Sequence, residues 1–289
     1  MIILGALLMG AFVGLLTGMF GVGGGFLITP LLNALLGVPM SIAVGTGVVQ
    51  ILGVSTSGLY RRRHDECIDY KMAIVLFGGN YVGVRLGAEL LAWLGRIGMW
   101  TIGGQEVPAV DVIVLIIFTV LLFSIAGWLW YDTSRSTNEE ETYREGLFSR
   151  IRIPPYTNFD LLDRPQMSLP VICYFGLAMG FMTGLLGIGG GVILVPGLIY
   201  LVGMRTHKAT GTSLAMVWLS SFLATITHAG QGNVDLTLAA PLLIGGTFGL
   251  QFGVSVCSRL GGNQLRRYFT LVVLAAALLV GGRLLGMLV

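Results

Sequence analysis

Two glycine clusters hold the residues best suited to chemistry in this sequence: Gly23-Gly24-Gly25 and Gly189-Gly190-Gly191. Each stands just ahead of a short apolar run of helical character. The first amides of a helix have no partner within it, and its N-terminal end carries positive dipole charge. A glycine backbone also lets a ligand come close, so both clusters are candidate binding tips for a small anion. Thr17 and Thr183 lie just before the clusters, where a hydroxyl can cap the break or touch a ligand. Arg85 falls inside an apolar segment with Glu89 four residues on, which reads as a counter-charge for the anion beside a proton-coupling carboxylate. The positions matching them in a second half are Gln251 and Ser255. Thr46, Gln50 and Ser57 share one helical face; Thr212, Ser220 and Thr227 share another, and Ser221, Thr225 and His228 a third. Their hydroxyls and amides can replace an anion's hydration shell, and His228 is a second proton-coupling candidate.

Other chemistries lack their residues. Gly21-Val-Gly23-Gly24-Gly25-Phe26 has no glycine at the last position of a dinucleotide fingerprint, and no Walker Gly-Lys-Ser/Thr occurs. Cys67, Cys173 and Cys257 form no CxxC and stand apart from His64, His207 and His228, so neither a metal site nor a disulfide framework is expected. No histidine, cysteine and acid group at catalytic spacing, which argues against an intramembrane enzyme. No cofactor is expected.

The elements that must hold these residues follow from composition. Of 289 residues, 55% are hydrophobic, 11% are charged and 44 are glycine, and the mean hydropathy is +0.85. A soluble domain carries about 25% charge, so the chain is expected in the bilayer as an all-α polytopic membrane protein. A net charge of +3, scattered along the chain, argues against a nucleic-acid partner. The first basic residue is Arg61, so no cleaved signal is expected and Met1 opens a retained membrane segment. Gly, Pro and charge divide the chain into ten apolar segments, at 2–20, 26–36, 41–60, 71–94, 108–131, 169–186, 192–203, 208–228, 236–258 and 265–288. Residues 132–168 hold five Arg and seven acidic residues and read as a solvated linker between an N-terminal repeat (1–131) and a C-terminal one (169–289).

The halves align at an offset of 166. Residues 14–30 match 180–196 at 8 of 17 positions, and the register continues through Gly45-Thr46/Gly211-Thr212, Ser55/Ser221, Asp69/Asp235 and Gly87/Gly253. Five segments per half is an odd number, so the second half enters the membrane from the opposite face. With alternate loops assigned to two sides, 14 of the 17 basic residues fall on one, which the positive-inside rule makes cytoplasmic. Both termini then face outward and the linker is cytoplasmic, eight to ten segments being spanning or re-entrant. Segments 26–36 and 192–203 are too short to span about 30 Å of hydrocarbon. Two such breaks at matching positions of inverted halves point to a central transport site. Gly10, Gly14 and Gly18, Gly79, Gly83 and Gly87, and their mates in the second half form GxxxG faces expected to pack helices, within the chain or in a homo-oligomer.

Gly21-x-Gly23-Gly24-Gly25-Phe-x-x-x-Pro30 and its copy Gly187-x-Gly189-Gly190-Gly191-x-x-x-x-Pro196 resemble the sulfite exporter TauE/SafE family. Ala43-x-Gly45-Thr46, Ala209-x-Gly211-Thr212 and Gly232-Asn233-Val234-Asp235 extend the likeness over nearly the whole chain outside the linker. The resemblance implies movement of small anions, sulfite or organosulfonates such as sulfoacetate, across the cytoplasmic membrane. His64-Asp-Glu-Cys-Ile-Asp69 departs from the Gly-Asn-Val-Asp pattern. The resulting expectation is a secondary transporter working by alternating access, with an anion channel lined by the glycine tips as the alternative.

Overall fold

In lipid the backbone must satisfy its own hydrogen bonds, and a chain this apolar does so as helices. The computed structural model describes residues 2–63, 67–102, 105–135, 146–151, 153–159, 162 and 166–288. Its helices are α1 (Ile2–Phe20), α2 (Gly25–Leu36), α3 (Met40–Arg61), α4 (Tyr70–Leu94) and α5 (Ala109–Arg135), then α6 (Leu169–Leu186), α7 (Gly191–Pro196), α8 (Thr206–Gly230), α9 (Leu236–Cys257) and α10 (Gly262–Leu288). A π-helical turn, Gly197–Val202, prolongs α7. Among the described residues eight helices are long and apolar enough to cross a membrane, and α2 and the α7 run are not. The chain is an all-α polytopic membrane protein.

Glycine decides which helices touch. A Cβ at Gly10, Gly14 or Gly18 of α1 would be driven into the backbone of Leu242, Gly246 or Leu250 of α9, and one at Gly245, Gly249 or Gly253 into α1 in return. A Cβ at Gly79, Gly83 or Gly87 of α4 would likewise meet the backbone of Cys173, Leu177 or Phe181 of α6, and one at Gly176, Gly180 or Gly184 the backbone of Leu76, Asn80 or Val84 of α4. Both contacts advance together along the chain, so each pair is parallel. Backbones this close gain dispersion contacts that larger side chains would prevent.

Between these pairs α3 crosses α8 antiparallel. Gly58 abuts Leu214 and Gly45 abuts Asn233, while Trp218 Nε1 donates to the Thr56 hydroxyl at 2.8 Å. The α5 and α10 helices pack mainly on each other. Arg62, just past α3, reaches Gly18 near the end of α1, so α1, α3 and α9 run one way and α4, α6 and α8 the other. It follows that α2 carries the chain back to the side where α1 began. The α7 run does the same after α6.

Two antiparallel hairpins were not anticipated. One joins β1 (Met99–Ile102) to β2 (Gln105–Pro108) before α5. The other joins β3 (Tyr156–Asn158) to β4 (Gln166–Ser168) inside the presumed linker. A 3-10 turn at Leu147–Arg150 also lies there, and Phe159 and Met167 are buried. The linker is therefore partly docked: Lys71 Nζ donates to the Asn158 carbonyl at 2.6 Å.

Candidate functional site

The two breaks meet at the centre of the molecule. Gly21, Gly23 and Gly24 have φ of 67°, 80° and 70°, and Gly187, Gly189 and Gly190 have 67°, 65° and 77°. This left-handed backbone penalises every residue with a Cβ, so the clusters are conformational requirements. Gly24 and Gly190 are the N-caps of α2 and α7. The first bonded amides are those of Leu27 and Ile193, which use the carbonyls of these caps. The amides of Gly25 and Phe26, and of Gly191 and Val192, therefore stand ahead of the helical bonding. Gly25 lies against the Gly187 carbonyl and Ile188, and Gly191 against Val22. Ile51 of α3 and Val217 of α8, themselves 166 apart, pack on both Gly23 and Gly189.

Thr17 and Thr183 stand behind the tips, their oxygens close to Gly24 and Gly190. Each hydroxyl donates at 2.9 Å to the carbonyl four residues back, Val13 or Met179. Their protons are committed to their own helices in this arrangement, and lone pairs face the caps. Ser221 is committed likewise, to Val217 at 2.6 Å. Gln50 is fully buried beside Gly246, and neither atom of its amide has a hydrogen-bond partner. Asn80 of α4, at the α6 contact, is also fully buried with both amide atoms unpartnered. Leaving such a group unpaired costs about 1–3 kcal/mol, and each helix group carries one. Asn80 was missed in the sequence; its offset mate is Gly246, so it is the polar exception on a glycine face.

The orphan carbonyls at the C-terminal ends of α1 and α6 have matching partners. Arg62 Nη2 donates to the Gly18 carbonyl at 2.9 Å, and His228 Nε2 lies 3.0 Å from the Gly184 carbonyl. Both pairs are related by 166 residues. A carbonyl only accepts, so Nε2 of His228 carries the proton.

Other candidates lie elsewhere. Arg85 and Glu89 are exposed on α4, and Arg85 lies 4.9 Å over the Tyr81 ring. The glycine face of α4 is buried against α6, and two residues further on a helix point to its far side. Gln251 is held at the far end of α3, accepting from Arg61 at 2.7 Å and donating to Ser57 at 2.9 Å. The structure does not bring Arg85, Glu89 or Gln251 to the glycine tips. Thr46 and Thr212 fasten loops instead, accepting from the amides of Asp235 and Asp69 at 3.1 and 2.9 Å. Those aspartates cap α9 and α4. The Thr237 hydroxyl, with the Thr237 and Leu238 amides, holds the Asp235 carboxyl below its ordinary range against a smaller opposing effect of burial. Asp69 thus keeps its capping role despite the altered loop before it; His64, Asp65 and Glu66 lie outside the described residues.

A small cavity lies beside the end of α1 and the start of α8. It is lined by apolar residues including Phe20 and Phe269, with Thr206, Thr210 and Arg266. Thr210 also abuts Gly21. Among the described residues no cluster of His, Cys, Asp and Glu has metal-binding geometry.

Residues 6–280 match the protein family described as Sulfite exporter TauE/SafE. A probable membrane transporter protein, YjnA of Bacillus subtilis, is 29% identical over 94% of this chain and 97% of its own length. A probable membrane transporter protein of Xylella fastidiosa is 28% identical over 94% of this chain and 92% of its own. A second from Bacillus subtilis, YunE, is 25% identical over 86% of each chain. No solved structure matches.

Proposed function

The chain belongs to the sulfite exporter TauE/SafE family of membrane transporters, and on that premise we propose that it is a secondary carrier of small, sulfur-containing anions. Sulfite and organosulfonates such as sulfoacetate are the proposed substrates. The meeting of two left-handed glycine tips at the molecular centre carries this reading. Two helix N-termini directed there from opposed hairpins offer amide donors and positive dipole ends to an anion without a fixed counter-charge. Gln50 and Asn80 add unpartnered amides on either side of the α3–α8 contact.

The opposed directions of α3 and α8, and of the parallel pairs around them, support two inverted repeats. In that arrangement one helix group, α1, α2, α3 and α9, rocks against the other, α4, α6, α7 and α8, and exposes the tips to alternate sides. Ile51 and Val217 pack over both tips, which favours a gated carrier over a channel. The cytoplasmic membrane is the proposed location, with residues 132–168 inside and both termini outside. Proteoliposomes tested with sulfite, sulfate, sulfonates and carboxylates at several pH values check the proposal. Saturable uptake of a sulfur oxyanion, accelerated by unlabelled anion on the opposite side, is expected. Indifference to the whole panel would sink the carrier reading, and flux without counterflow would make it a channel.

A further inference from the structure

We propose that His228 is a proton-binding anchor for the α6–α7 hairpin, the titratable counterpart of the fixed cation Arg62 on the α1–α2 hairpin. The two residues occupy matching positions at the ends of α8 and α3, and each donates to the matching carbonyl of a broken helix, Gly184 or Gly18. Both are buried, His228 fully and Arg62 to 5% exposure. They differ in chemistry. Arg62 presents its cation to the end of α1 at every pH, so this anchor does not vary with pH. His228 in its neutral form already spends its one N–H on Gly184, so Nδ1 holds a bare lone pair, and that atom is buried without a partner.

A proton from solvent can add only at Nδ1. It yields an imidazolium that keeps the Nε2–H bond to Gly184 and strengthens it by charge. Among the described residues no charged group is placed to compensate that charge. On α6, Cys173 and Tyr174 lie in the first turns, remote from Gly184. On α4, Glu89 and Arg85 are exposed, and the Ala88 carbonyl accepts from Gln231 just past α8. On α3 the cations Arg61 and Arg62 are at the opposite end, and the α7 run has no charged residue. Asp235, in the next loop, turns its carboxylate to Thr237. Asp111, on α5, is engaged by Asn33 and Met40. A buried unpaired charge is costly, so protonation favours arrangements in which water reaches Nδ1. By linkage, acid on the side where α8 ends then loosens the α6–α7 hairpin while α1–α2 stays anchored. Pairing this loosening with transport rests on the alternating-access reading above; the proton site itself does not.

Hydrogen–deuterium exchange of the full chain in lipid nanodiscs, expressed as protection factors to remove the intrinsic pH dependence, tests the site without any substrate. In the unmodified protein, protection of residues 187–196 is expected to fall at least threefold between pH 7.5 and 5.5. His228→Gln keeps a neutral donor and should hold the higher protection at both values. His228→Arg puts a permanent charge at a fully buried position within α8, unlike Arg62 just past the end of α3, and should hold the lower protection at both. Arg62→His should give residues 21–30 a pH dependence that the unmodified protein lacks there. Protection of 187–196 that ignores pH, or that follows pH equally in the Gln or Arg variant, overturns the proposal. Should either His228 variant fail to fold, Arg62→His still decides: pH-invariant protection at 21–30 counts against it. Absence of anion uptake would remove the carrier reading and leave these results standing.

Discussion

Gln50 and Asn80 are the residues whose burial makes least sense as architecture. An amide with no partner in an apolar surrounding is a liability that an apolar side chain of similar volume removes. Gln50→Leu and Asn80→Leu are therefore expected to leave the thermal midpoint in detergent unchanged or raised by a few degrees. Uptake of the transported anion should fall about tenfold or more in each, if their amides are kept for the ligand. A lowered midpoint with unchanged uptake would make both residues structural. Charge alone does not place a residue at the glycine tips. Arg85 is a cation in an apolar run, yet Gly83 and Gly87 fix the packed face of α4, and a step of two residues turns a side chain about 200° away. That rotation was legible in the sequence. The Arg62–His228 correspondence was legible too, since 166 separates them, but their shared function needs the broken-helix carbonyls, which no side-chain pattern encodes.

At the scale of elements the sequence is far more informative, because lipid tolerates few ways to end a helix. Gly, Pro and charge placed most helix ends within three residues of those observed, from Gly25–Leu36 to Leu236–Cys257. Escaping this reading were the short hairpins β1–β2 and β3–β4, whose strands of three or four residues carry too little period to register. The glycine faces make a sharp prediction on α4, where Gly78 and Gly79 are neighbours. A Cβ at Gly78 meets nothing within 4 Å, whereas one at Gly79 collides with the Cys173 carbonyl of α6. Gly78→Ala should fold normally, gaining up to about 1 kcal/mol of helix propensity. Gly79→Ala should lose at least the 1–3 kcal/mol typical of overpacking (roughly), seen as aggregation on size-exclusion chromatography. Equal behaviour of the pair would refute the close α4–α6 contact. The helix caps allow a second test. Asp235→Ala should destabilise the start of α9 by about 1 kcal/mol. Because the folded-state carboxyl is held below its ordinary range, the cap contributes above pH of about 4 and is lost as acid protonates it. Local exchange of residues 236–240 should therefore match the Ala variant only at low pH.

The molecule as a whole is arranged by exchange. α4 comes from the first half but packs with α6 and α8, and α9 from the second packs with α1 and α3, so each helix group contains helices of both halves. Such a pairing ties the groups together through the chain itself, and in the proposed carrier the α3–α8 crossing is the surface on which they would shift. Sidedness is the property of this assembly that charge alone predicts, and α5 isolates it. Thr101 in the β1–β2 hairpin precedes α5 and Leu147 follows it, both exposed. The apolar part of α5, Ala109–Tyr131, has 23 residues, a rise of about 35 Å against the roughly 30 Å of hydrocarbon. With Cys67, Cys173 and Cys257 replaced by Ser, a cysteine at Thr101 should react with an impermeant maleimide in intact cells. A cysteine at Leu147 should react only after permeabilisation. The reverse pattern would overturn the orientation drawn from the basic residues and leave the fold intact, because one rotation of the whole chain exchanges both sites. Labelling of both from the same side would be graver. It would mean that α5 does not cross, which would break the parity by which the second half enters opposite to the first, and with it the opposed glycine tips that an alternating carrier needs.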